Sequence, residues 1–503
     1  MNHDDSTEHR IKHHLSQPLK SNNIDLNKET ALILEGLGTS IEDFGGKLTF
    51  YGKDPIIPSV LPYGACSAIG LAVKAVQLAS IWKLKTGEVQ NIHIDVRKAL
   101  RRFACFWEGT LETVNGFPGT SASESGVDLR TFYCCKDKTW VLFTCNYPGL
   151  RNRALQLLQC APGKEAIRKA VAQWNGAELE TAAAKAGIPI HLVRSPQEFM
   201  ALDLFKKTLN REPLIKVEKV ADSDPVPFKD GKEVLSGIKA LGLGHVIAGA
   251  GIGRSLALHG ADVLNIWLKD DYEHSTFHFT SNVGVRSSRL DIKNNSEHRK
   301  SFDKLLSEAD VFYSNRRNGF LERHNLSPEM LCKKHPGLIT STVYFNTKEG
   351  VWSDRVGFDV SQGALAGPYW LESLGGTYKK CSEPHQTPQI GVICDWIVSW
   401  LATAGILEAL KRRAVEGGSY SVSVSLSRTV CWLMSVGIFD QKYAYDTANS
   451  DAEHAYVDPD FIIAQTPMGL YKGVGEQVEM TTMGTYKYLL NPLGSSFPEW
   501  DPD

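Results

Sequence analysis

Residues 395–426 read DWIVSWLATAGILEALKRRAVEGGSYSVSVSL. Ile397, Leu401, Ala404, Ile406 and Leu407 approximate the apolar spacing of a helix. Lys411, Arg412 and Arg413 lie near its end, where cations suit the helix dipole. Gly417 and Gly418 then stop it. Tyr420, Val422, Val424 and Leu426 alternate with Ser421, Ser423 and Ser425, the pattern of a half-buried strand. The same order occurs earlier, in residues 66–96, CSAIGLAVKAVQLASIWKLKTGEVQNIHIDV. There Gly87 stands in the place of Gly418, and Ile92, Ile94 and Val96 alternate. Aligning the two glycines sets Gly64 opposite Asp395.

Between the two copies, residues 126–222 read as a small α/β domain, with strands at Trp140–Cys145 and Gly187–Val193. The run VADSDPVPFKDGKE, residues 220–233, reads as a linker. Strands and helices alternate after it, through IKALGL, IGRSLALHG, ADVLNIWL, SFDKLLSEADVFYS and HPGLITSTVYF. That alternation predicts an α/β fold with a doubly wound, mostly parallel, Rossmann-like sheet. The expected organisation is a disordered tail over 1–24, a partial helix-and-strand module over 25–125, the small domain over 126–222, a core over 228–440 and a wrapping tail over 441–503.

The 503 residues carry a net charge of −2, with 42% apolar and 22% charged residues. This is globular composition, with no bulk field to attract nucleic acid or an anionic membrane. No run of about 18 uncharged apolar residues occurs, so no membrane span is expected. The N-terminus is polar, without an apolar signal core, and no targeting signal is recognised; an intracellular, cytoplasmic protein is expected. Its His3, His9, His13 and His14 sit among too few apolar residues to fix a metal site. The ten cysteines include no C-x-x-C pair and read as reduced thiols.

The turn GHVIAGAGIG, residues 244–253, follows a strand and opens a helix, so its N–H groups are candidates to cradle a phosphate. As a dinucleotide fingerprint it fails: Arg254 stands at the third glycine, and Trp267 stands where a ribose-binding acid belongs.

Several further motifs occur in order. His245-Val246-Ile247-Ala248-Gly249-Ala250 is followed by Gly260-Ala261-Asp262-Val263-Leu264, and then by Arg286-Ser287-Ser288-Arg289-Leu290-Asp291-Ile292-Lys293. Ala309-Asp310-Val311, Asn315-Arg316-Arg317-Asn318-Gly319 and Arg355-Val356-Gly357-Phe358-Asp359 complete the set. Together these resemble the class III CoA-transferase family, which includes formyl-CoA and carnitine CoA-transferases and alpha-methylacyl-CoA racemases. The segment GIPIHLVRSPQEF from Gly187 resembles part of that family's small domain.

The resemblance implies a nucleophilic carboxylate at Asp395, where the family's catalytic aspartate begins a long helix. It implies acyl transfer from an acyl-CoA to a carboxylic acid through a mixed anhydride and an aspartyl-CoA thioester, with coenzyme A as substrate and no permanently bound cofactor. The helix N-terminus is expected to lower the carboxyl's pKa. CoA-binding positions carried over are His245, Ala248, Gly249, Arg286, Arg317 and Arg323. The family's racemases place a histidine where this chain has Phe358, so proton transfer by that pair is not expected. Departures at Ala250, Asn265, Trp267, Val285, Arg316, Asn318 and Cys394 keep two alternatives open: a repurposed acyl-CoA isomerase, and a CoA-ester-binding protein without turnover. Family subunits interlock as dimers, so the degenerate first copy and the second module are expected to form an internal pseudo-dimer or a homodimer.

Overall fold

The strand–helix alternation folds into one seven-stranded sheet in the computed structural model, which describes residues 6–120, 129–387 and 389–502. Residues 1–5 of the expected tail, His3 among them, and 126–128 of the expected small domain lie outside the described residues. The strands are β1 Lys216–Ala221, β2 Lys239–Leu243, β3 Asp262–Leu268, β4 Arg286–Leu290, β5 Val311–Ser314, β6 Ile339–Tyr344 and β7 Ser419–Ser425. Their order is β4-β3-β2-β5-β6-β7-β1, and all pairs are parallel except β7 with β1. The order reverses between β2 and β5. Ligands of doubly wound sheets bind outside the C-terminal strand ends at such a reversal.

Four helices matter most: α1 Thr7–Ser16, α2 Tyr63–Thr86, α3 Ala250–Leu258 and α4 Asp395–Glu416. Helix α4 lies on the sheet at Gly405, where an added Cβ would come within 2.6 Å of Val422. On its other side α4 meets α2. A Cβ on Gly70 would sit 3.1 Å from Trp400, and Lys411 donates to Gln77 at 3.0 Å. The two sequence copies therefore pack helix against helix. By length and composition α2 is apolar enough to cross a membrane, yet Tyr63–Ile81 is wholly buried inside this protein. Its central Lys74 is paired with Glu476.

The strand of the first copy, Ile92–Asp95, pairs with Leu48–Tyr51 in a separate parallel ribbon rather than joining the large sheet. Phe132–Cys134, Trp140–Phe143 and Ile190–Leu192 form a small antiparallel sheet. The third of these is shorter than the expected Gly187–Val193 run, because Pro189 offers no ladder N–H.

The first residues differ from the expected disordered tail. Ser6 caps α1, Ile11 is fully buried, and Arg10 pairs with Glu29 at 2.7 Å. Tertiary packing orders a segment that is too polar to order itself. At the other end, residues 494–496 hydrogen-bond to Ser287 and cover the edge strand β4.

Candidate active site

Asp395 is the first residue of α4 and is 6% exposed. The residue before it, Cys394, occupies the cap position and makes no side-chain capping bond. The cap is supplied from elsewhere: the Asp359 carboxylate accepts the N–H groups of Cys394 at 2.6 Å, Asp395 at 3.1 Å and Ile393. The positive end of the helix is thus already occupied by one carboxylate when the second begins it.

This reverses the expected electrostatics. Burial, with the charge of Asp359 added to it, pushes the Asp395 carboxyl well above the usual carboxylate range. Burial also raises Asp359, but its three N–H donors oppose the rise. The three N–H donors favour the charged form of Asp359, and no such donor opposes the rise at Asp395.

Asp395 and Asp359 stand where two cavities meet. One is a cleft, open to solvent, with Arg316, Arg317 and Arg355 among its walls. The other is a narrow slot whose walls include Phe106, Tyr147, Phe277 and Val392. Val246 and Phe358 face both. Phe358 stacks on Tyr147 with ring centres 5.6 Å apart.

The turn after β2 shapes this junction. Val246 holds a φ of +56°, a strained conformation for a β-branched residue. Its N–H donates to Glu273 at 2.9 Å, and the Tyr147 hydroxyl donates to the same carboxylate at 2.6 Å. Burial pushes that carboxyl up to about 7. On the far side, the Ser399 hydroxyl donates to the Ala248 carbonyl at 2.9 Å, tying the turn to α4 one helical turn beyond Asp395.

Three N–H groups of the turn expected to cradle a phosphate already have acceptors. Gly244 N–H donates to Asn265 at 2.8 Å, His245 N–H to Asn315 at 2.9 Å, and Val246 N–H to Glu273. Its glycines serve close packing instead: a Cβ on Gly249 would sit 2.4 Å from Asn315.

His245, Ala248, Arg317 and Asp395 all line the cleft. Gly249 lies just behind Ala248 against Asn315. Arg286 and Arg323 fall outside the cleft. Arg286 starts β4, at the end of the sheet opposite the cleft, and binds Asp262 at 2.8 Å and the Glu499 carbonyl at 2.9 Å. Arg323 ends the short helix Phe320–Arg323 and is exposed.

The remaining cations divide by partner. Arg316 is engaged by Asp271 at 2.9 Å, and Asp271 also meets His245 at 3.3 Å. Burial and the Arg316 charge hold His245 down to about 4, so its imidazole is neutral at pH 7. Arg355 lies 3.4 Å over the Trp352 ring and 3.4 Å from Glu180. Arg317 has no ion pair within 4.0 Å among the described residues, and burial with the neighbouring charge of Arg153 lowers its pKa. Trp267 is fully buried and touches the His245 ring edge-on at 4.5 Å; it serves the core and does not line the cleft.

The first copy repeats the helix cap with Gly64 in the place of Asp395. Asp54 accepts the N–H groups of Gly64 at 3.2 Å and Ala65 at 2.7 Å, as Asp359 does at the start of α4. A Cβ at Gly64 would lie 2.8 Å from both Asp54 and Ile56.

Residues 235–472 match CoA-transferase family III. This part of the chain is similar to that family. An acetyl-coenzyme A transferase of Hypoxylon pulicicidum is 31% identical over 215 residues, 42% of this chain and 35% of that protein. An acyl-CoA transferase of Gibberella moniliformis is 25% identical over 273 residues, 52% of this chain and 47% of that protein. The chain spans about a third to a half of the length of these two relatives. A hypothetical protein of Mycobacterium tuberculosis aligns with a TM-score of 0.37 at 22% identity, covering 42% of this chain and 58% of that one.

Residues that sequence reading left without a role now have one. Asp359 closes the R-x-G-x-D motif, and that position was its only signal. Tyr147 and Phe106 carry no local signal at all, because they meet Asp395 only through the fold, and Glu273 meets Tyr147 and Val246 in the same way.

Proposed function

We propose that the protein is an acyl-CoA:carboxylate CoA-transferase with Asp395 as its nucleophile. The observation that carries this reading is the placement of Asp395 between a cleft with arginine walls and an aromatic slot. CoA phosphates suit Arg317 and Arg355, since guanidinium binds phosphate through paired N–H donors. The acyl group then enters the slot, with the thioester carbon beside Asp395.

The ionised Asp395 oxygen attacks that carbon. The C–S bond breaks, CoA leaves as the thiolate, and an acyl-aspartyl anhydride remains. The thiolate attacks the aspartyl carbonyl carbon, forming the aspartyl-CoA thioester and releasing the first acid as its carboxylate. An incoming carboxylate reverses the two steps and leaves as a new acyl-CoA. Loss of the Asp395 proton precedes the first attack. A carboxylate desolvated beside Asp359 is a stronger nucleophile than one in water.

Phe358 carries no proton to exchange, which supports transfer over racemisation. Asp54 and Gly64 support a reading of the chain as a capped but nucleophile-free first module beside an active second one, packed together as a pseudo-dimer.

The test is isotope exchange. Wild type incubated with an acyl-CoA and the matching carbon-labelled free acid moves label into the acyl-CoA pool, and Asp395→Asn does not. Equal exchange by both proteins removes Asp395 from the chemistry.

A further inference from the structure

Resting on the transferase reading, we infer that the slot beside Asp395 selects a short acyl group bearing a branch or a ring and no second charge. Six side chains carry the argument. Phe106, Tyr147, Phe277, Phe358, Val360 and Val392 all face the slot. Phe106 meets Phe277 edge-on with ring centres 5.3 Å apart, and Tyr147 stacks on Phe358. The slot is thus walled by two aromatic pairs contributed by separated parts of the sequence. Rings and branched carbons fill such walls; a methyl group leaves most of the contact unmade.

Charge gives the second half of the specificity. Asp359 and Asp395 stand together on this wall, so a second carboxylate on the acyl group would enter beside two acids. It would also leave water for an aromatic surface. Arg130 is the cation on this wall among the described residues, and its guanidinium donates to the Gly391 carbonyl at 2.9 Å.

Phe106 gives the degenerate first module a task. That module has lost its own nucleophile at Gly64, yet it supplies one wall of the slot used by Asp395.

The experiment compares acetyl-, isobutyryl-, phenylacetyl- and succinyl-CoA as donors, scored by Asp395 adduct formation and by label exchange. The expected order places isobutyryl and phenylacetyl about tenfold or more above acetyl in kcat/KM, the scale on which an apolar pocket discriminates, and succinyl last. Phe277→Ala and, independently, Phe106→Leu are expected to shrink the phenylacetyl-to-acetyl ratio. The ratio is read within each folded variant, and the wild-type panel stands without either. Adducts that form fastest with succinyl- or acetyl-CoA overturn the inference while leaving the transferase reading intact. Adducts with no donor overturn both.

Discussion

The Asp359 carboxylate accepts the backbone N–H of Asp395 at 3.1 Å, so one aspartate caps the helix that the other begins. The anion-stabilising end of α4 is therefore spent on Asp359. Asp395, left without it and buried, is held well above the usual carboxylate range.

Asp359→Asn should shift the pH profile of Asp395 adduct formation to lower pH. In the proposed mechanism Asp395 must ionise to react, and removing the neighbouring charge makes that ionisation easier. The check is the adduct-formation rate measured from pH 5 to 9 in both proteins. An unchanged midpoint would show that the two carboxyls do not interact.

Gly64→Asp should not create a second nucleophile. The new Cβ would press on Asp54 and Ile56 at 2.8 Å. Overpacking of this kind costs about 1–3 kcal/mol, and a second acid beside buried Asp54 adds to it. Denaturant unfolding should show the loss, and peptide mapping should find adducts only at Asp395.

Arg317→Ala should raise KM for acyl-CoA about 10-fold or more, with a smaller change in kcat, as expected for a lost charge-assisted phosphate contact. Arg323→Ala should leave KM unchanged, because Arg323 is exposed outside the cleft. Steady-state kinetics at two salt concentrations separates the pair. Equal effects would contradict the placement of CoA.

Glu372 supplies a pH test of stability. Burial pushes its carboxyl up to about 7, while it accepts from Ser59 and from the Val60 N–H. Between about pH 4.5 and 7 the unfolded chain has lost this proton and the folded chain retains it. This group's contribution is therefore fully present below the unfolded pKa and is lost as pH rises, by a total on the order of 3 kcal/mol. Glu372→Gln should flatten that part of the slope. Unfolding free energies at pH 5 and 8 in both proteins give the difference directly.

The parts of the fold legible in the sequence are those written locally. Helix α4 and strand β7 follow from spacing, two glycines and strict alternation, and Asp395 follows from the order of motifs around them. Its electrostatic state was not legible. The helix dipole argues for a lowered pKa, but Asp359 arrives from a segment 36 residues upstream and takes the helix end first. Arg286 illustrates a similar limit. Its motif position is clear, yet it stands at the N-terminal end of β4, and only the sheet reveals that the cleft opens at the other end. The aromatic slot is invisible for the same reason: Phe106, Tyr147, Phe277 and Phe358 share no periodicity and meet only in three dimensions.

Intact-protein mass spectrometry after mixing with acyl-CoA, with hydroxylamine trapping and peptide mapping, tests the central claim most directly. The account predicts a covalent adduct on the peptide carrying Asp395, lost in Asp395→Asn and retained in Arg323→Ala. An adduct on another residue, or catalytic exchange with Asp395→Asn fully active, would contradict it.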